Sequence, residues 1–184
     1  MHQLRNAVLA LLAIAPVASA QRAANTSGQK SETAFEMGVD VASLRLGLEA
    51  PKSMVLSLGG QPLVGLAWFT SDRVAIEPRV GWTSVAREKQ TGASNYALDI
   101  GVLYGFSSMT PTNNAWYVRP SVMITGGSAG TRSFTTLSGG FGNRRMFHGM
   151  IMHNEISLNR QLESGPVAAA TYIQLRHGFS LRRQ

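Results

Sequence analysis

The chain has 184 residues, 44% of them hydrophobic and 15% charged, with a formal net charge of +7 that becomes +6 once a leader containing Arg5 is removed. That is one domain's worth of chain, and the absence of cysteine excludes both a disulfide scaffold and a lipid-modified N-terminal cysteine. No apolar run approaches the roughly 18 residues of a membrane helix, but a barrel strand needs only about 9 to 11 residues with alternate ones apolar, so membrane strands stay open.

The N-terminus has the layout of a secretory signal. His2 and Arg5 form a weakly positive region, residues 7–15 an apolar one, and Ala18, Ser19 and Ala20 a small-residue cleavage site before Gln21. The expectation is a signal peptide over 1–20, a flexible polar segment over 21–33 and a barrel domain over 34–184.

From Ala34 the sequence alternates. Phe35, Met37, Val39 and Val41 interleave with Glu36, Gly38, Asp40 and Ala42, and the pattern weakens toward Leu46 or Leu48. After a loop near 49–53, Met54, Leu56 and Leu58 lead to Gly59 and Gly60, then Val64, Leu66 and Trp68. We read one long second strand kinked at the glycines, since Gly within a strand commonly marks a bend; splitting it would give nine strands instead of eight. Ser71 and Asp72 make a tight turn. The next stretch sets Val74, Ile76, Pro78, Val80 and Trp82 against Ala75, Glu77, Arg79 and Gly81, a period of two with opposite charges two residues apart on one face.

A polar loop over 87–93 precedes a fourth strand with Tyr96, Leu98, Ile100, Val102, Tyr104 and Phe106 on its apolar side. A turn over 107–114 follows, and then a fifth strand sets Trp116, Val118, Pro120, Val122 and Ile124 against Tyr117, Arg119, Ser121, Met123 and Thr125. A loop over 127–136 leads to a weak sixth strand between Leu137 and Met146, where Gly139, Gly140 and Gly142 would also suit a loop. The seventh strand sets Ile151, His153, Glu155, Ser157 and Asn159 against Met152, Asn154, Ile156 and Leu158. After a loop over 162–167 the last strand has Ile173, Leu175, His177, Phe179 and Leu181 outward and Tyr172, Gln174, Arg176, Gly178 and Ser180 inward. Pro78 and Pro120 fall mid-strand, where each removes a ladder hydrogen bond; bulges would reconcile them.

The residues opposite the apolar faces include Glu36, Asp40, Glu77, Arg79, Asp99, Arg119, Glu155 and Arg176. In a soluble barrel that face would be the core, where charges are costly unless paired. In an inverted barrel it is the polar interior, and the apolar belt, too large for water to tolerate, faces lipid. Trp68, Trp82, Tyr96, Tyr104, Phe106 and Trp116 then form interfacial girdles.

With these elements the chain resembles small bacterial outer-membrane β-barrel proteins of the outer-membrane protein A and X type, over residues 34 to 182. The resemblance implies an eight-stranded antiparallel up-and-down transmembrane β-barrel in the bacterial outer membrane, with both termini in the periplasm and the longer loops outside. It also implies contact with outer-membrane lipid and lipopolysaccharide, with the barrel-assembly machinery, and with an extracellular partner through the loops. Family members commonly end on an aromatic read by that machinery; here the chain continues past Phe179 to Gln184.

Other chemistries find little in the sequence. His177 and Ser180 face opposite sides of their strand, His153 and Ser157 stand about 13 Å apart, and no nucleophile elbow is present, so no catalytic residue is assigned and an enzyme is not expected. The histidines lack metal-ligand spacing, the glycines at 139, 140 and 142 do not open a helix as a phosphate loop does, and the scattered basic residues make no nucleic-acid stripe. No cofactor and no metal are expected. The function expected is structural or surface interaction, with a narrow channel, a lipid-modifying enzyme and a soluble periplasmic binder of the lipocalin manner as alternatives.

Overall fold

Period-two alternation becomes strand almost throughout. The computed structural model describes residues 35–49, 53–58, 63–87, 90–109, 114–127, 133–164 and 168–183, so the signal peptide, its cleavage site and the 21–33 segment lie outside the described residues. The strands are β1 (Phe35–Gly47), β2 (Met54–Leu58), β3 (Val64–Phe69), β4 (Val74–Arg87), β5 (Gln90–Gly105), β6 (Ala115–Gly127), β7 (Phe134–Phe147), β8 (Met150–Gln161) and β9 (Ala170–Arg183). All neighbours are antiparallel, and β1 pairs with β9 to close the sheet. Closure gives every central strand two hydrogen-bonded edges, which a spanning wall requires.

Nine segments make eight staves. β3 pairs with the first part of β1 and β2 with the second, so the two share one position in the wall. Val39 faces Val64 and Ala42 faces Leu58, so three steps along β1 correspond to six on the partner, leaving three extra residues at the break. The glycines expected to make the kink fall there, outside the described residues. β2 is joined to β1 alone among the described residues.

β1 has its own irregularity at the same level. Its register against β9 shifts between Asp40 and Ala42, so the extra residue at Val41 switches which positions face the lumen. Before it Glu36 and Asp40 point inward. After it Ser43 lies opposite the buried Arg176, and the Arg45 guanidinium sits over the buried Tyr172 ring at 3.5 Å. This phase change is why the alternation weakens toward Leu46.

The prolines are accommodated without bulges. β3 and β4 keep one register from Val64↔Val80 to Trp68↔Ile76, with the pairing interrupted around Pro78. β5 and β6 keep one from Gly101↔Ser121 to Tyr104↔Val118, interrupted around Pro120. Each proline turns its missing N–H to one neighbour and keeps a continuous ladder with the other.

Two further expectations are corrected. The 87–93 loop is largely hairpin: β4 reaches Arg87 and β5 starts at Gln90, with 88 and 89 outside the described residues. The weak sixth strand is the full-length β7, which continues into β8 through a two-residue turn at His148 (φ 48°) and Gly149 (φ 81°), the backbone a type I′ hairpin turn demands. β7 reads poorly because its inward glycines make room for larger neighbours. A Cβ on Gly142 would lie 2.3 Å from the Tyr117 ring, and one on Gly140 would lie 2.9 Å from the Glu155 carboxylate.

Candidate functional site

Inward side chains fill the lumen in three levels. At the end carrying Phe35, the Ser71 turn and the His148 turn, an apolar floor packs Ala67, Phe69, Ala75, Leu103, Met109, Ala115 and Tyr117 together. Arg144 and Arg182 hold their guanidinium carbons 5.1 and 4.9 Å from the Phe69 ring, within cation–π range. The upper level is held by neutral hydrogen bonds, with Arg45 its charged side chain over the Tyr172 ring: Ser138 donates to Asn159 Oδ1 at 2.7 Å, and the Asn159 amide donates to Ser157 Oγ at 3.0 Å.

Between them lies a lattice of charges. Alternation turns Glu77 and Arg79 the same way on β4, and they pair at 2.8 Å. Arg79 also reaches Asp40 across the lumen at 3.3 Å, and His153 Nε2 meets the other Asp40 oxygen at 2.9 Å. Arg119 bridges Glu77 at 2.7 Å and Asp99 at 2.8 Å. Arg176 lies 3.6 Å from Asp99 and 3.3 Å from Glu155, its direct cross-strand neighbour. The Tyr117 hydroxyl donates to Glu155 at 3.4 Å. Below, Arg144 Nη2 holds both Glu36 oxygens at 2.5 and 2.6 Å.

All eight residues expected to line the interior therefore lie in the lumen, each with an ion-pair partner: seven are linked through shared bridges, and Glu36 pairs with Arg144 and Arg182. Arg144, Arg182, His153 and Tyr117 complete it. Arg144 escapes the sequence reading because the weak sixth strand between Leu137 and Met146 is given no inward face there; the phase Gly140, Gly142, Arg144 is the available signal. Five carboxylates (Glu36, Asp40, Glu77, Asp99, Glu155) meet five guanidinium groups (Arg79, Arg119, Arg144, Arg176, Arg182), so carboxylate and guanidinium charges balance. That balance makes buried charge tolerable where an isolated charge would cost several kcal/mol.

The outer face is the reverse. Trp82 is 67% exposed, and Met37, Leu66, Val80, Leu98, Ile156, Leu158 and Leu181 are exposed with it. A belt of this kind, far beyond what a water-facing surface carries, makes this a membrane-spanning barrel. Of the expected girdle, Trp68, Phe106 and Trp116 stand exposed toward the turn end and Trp82 and Tyr96, opposite each other in register, toward the far end; Tyr104 is half-buried. Val74 and Trp82 are eight residues apart on β4, about 26 Å along the strand and roughly 20 Å of height at the usual tilt.

The lattice closes the lumen. Asp99, Arg119 and Tyr117 are each 1% exposed, whereas residues lining a water-filled channel would be wet. A cavity of about 20 Å³ between Glu36, Glu77, Arg79, Arg144, His153 and Ser180 has room for about one water molecule. The polar lumen also excludes an apolar ligand cavity of the lipocalin kind. Among the described residues no group of histidine and carboxylate side chains is arranged to hold a metal ion.

No protein-family model matches the chain, and no curated protein matches it. Solved structures do. The chain is similar to Neisserial surface protein A with a TM-score of 0.56 at 13% identity, over 82% of this chain and 99% of that one. The fold is that of a small eight-stranded outer-membrane barrel. Lower scores, 0.47 and 0.48, are found for the N-terminal β-barrel domain of Pseudomonas aeruginosa OprF (14% identity, 83% of this chain and 100% of that one) and for Ail, the attachment invasion locus protein of Yersinia pestis (11% identity, 83% and 99%).

Proposed function

We propose that the protein resides in a bacterial outer membrane and serves a structural or surface-contact role, its loops at the far end meeting lipopolysaccharide or an extracellular partner. The observation that supports this reading is the packed, charge-balanced middle of the lumen, where Arg119 and Asp99 leave neither a path for ions nor a free nucleophile and base. A barrel so filled works as a rigid mount, and what varies between such mounts is what they present at their rims.

The test is electrical and chemical. Purified barrel in planar bilayers is expected to give no steady conductance, and lipid A or phospholipid incubated with it is expected to keep its acyl chains. Stable single-channel steps would overturn the reading in favour of a channel, and acyl release in favour of an enzyme.

A further inference from the structure

The lipid-facing belt has a polar interruption. On the outward faces of β7, β8 and β9, Asn143 lies opposite Asn154, which lies opposite His177. His177 Nδ1 and Asn154 Oδ1 are 2.7 Å apart, so with the ring proton on that nitrogen the histidine donates and the Asn154 amide N–H groups stay available. Arg145, two residues beyond Asn143 on the same face, is exposed and has no ion pair among the described residues. It stands opposite Met152, so Asn154 is its diagonal neighbour, within reach of a long side chain. On either side the belt is apolar again, with Ile156, Leu158, Leu175 and Leu181 exposed.

Two facts indicate what this row meets. The first is level: Arg145 is two residues from the end of β7 at the tight turn, and Trp116 and Phe141 stack beside the row at 5.2 Å between ring centres, as aromatics do where acyl chains give way to headgroups. The second is sign. The row offers guanidinium and amide donors, and no carboxylate lies on the outward faces of β7, β8 or β9. A second copy docked here by a two-fold axis would set Arg145 against Arg145 with no acid between them.

We propose that Arg145 and Asn154, the latter oriented by His177, bind the phosphate of one glycerophospholipid in the leaflet at the tight-turn end. The proposal rests on the membrane-barrel reading above. The phosphodiester oxygens take charge-assisted hydrogen bonds from Arg145 and a neutral one from Asn154, while the acyl chains lie along the apolar wall beside Leu175 and Ile156.

The test is native mass spectrometry of the folded barrel in maltoside micelles, titrated with dioleoylphosphatidylglycerol and, for comparison, with dioleoylglycerol, which has the same chains and no phosphate. One phosphatidylglycerol retained per barrel is expected, with no retention of the diacylglycerol. The Arg145→Gln, Asn154→Leu double variant is expected to weaken retention about tenfold, and Arg160→Gln, far from the row, to leave it unchanged. Equal retention by the double variant, equal binding of diacylglycerol, or a dimer that the double variant abolishes would each overturn the site. Gel migration with and without boiling, which shifts for a closed folded barrel, separates the two readings. A wild-type chain that does not fold into bilayers defeats the membrane reading and the site together, whereas a folded barrel without phosphate preference defeats the site alone.

Discussion

The middle and the upper levels of the lumen are both polar and both buried, yet different forces hold them. In the middle, Arg119 sits between Glu77 and Asp99, and Asp99 also faces Arg176, so each group is needed to neutralise at least two others. Above, Ser138, Asn159 and Ser157 share neutral hydrogen bonds, and Ser121 and Thr136 bury hydroxyls with no partner among the described residues. Such a hydroxyl costs about 1–3 kcal/mol, a price the wall tolerates, whereas a stranded guanidinium or carboxylate costs more. The lower lattice is therefore all-or-none, and the upper one is forgiving.

Substitution can test that contrast. The largest effect is expected from Arg119→Leu, which leaves Asp99 and Glu77 short of a partner and should cost about 3–5 kcal/mol of unfolding free energy, read by urea unfolding of the barrel in micelles. Adding Asp99→Asn should restore part of the loss. A loss below about 1 kcal/mol would mean that the lattice is not what holds the middle together. Asn159→Ala should cost less, about 1–2 kcal/mol by the same assay, because only neutral hydrogen bonds are lost. Equal losses at the two sites would erase the distinction between the levels.

The smallest effect is expected at the rim. Glu49 accepts hydrogen bonds from the Thr171 hydroxyl at 2.7 Å and from Arg160, and these, the hydroxyl first, hold its carboxyl below the ordinary glutamate range. A lowered value favours folding above the ordinary glutamate pKa, and the contribution fades as the pH falls through the lowered one. The group is fully exposed, so the stability change should be slight. Carboxyl NMR titration should show Thr171→Val moving Glu49 back up toward the ordinary value, and an unmoved titration would show that the hydroxyl does not set it.

The sequence made the wall legible and left its irregularities hidden, for a physical reason. Alternation reports which face a residue points to, so Glu77, Arg79, Arg119 and Arg176 could be placed from chemistry alone. It cannot report a partner across the lumen, so Arg79 reads as a neighbour of Glu77 without revealing its reach to Asp40. Where the residues are polar on both faces, as from Arg87 to Thr91 in the β4–β5 hairpin, the pattern vanishes and the segment reads as loop. Where small residues make room for large ones, as at Gly140 and Gly142 on β7, a strand looks like a turn.

The extra residue at Val41 has a consequence for how this gene can change length. In a two-faced wall the unit of heredity is the residue pair: removing two residues from a stave shortens it, but removing one exchanges inside for outside from that point on. Val41 is the exception: as the extra residue it can be deleted with Asp40, Ser43 and Arg45 still facing the lumen and Leu44 and Leu46 still facing lipid. The last third of β1 is thus written in the opposite frame from its beginning, and a single-residue deletion in this strand keeps its faces only where the bulge at Val41 absorbs it.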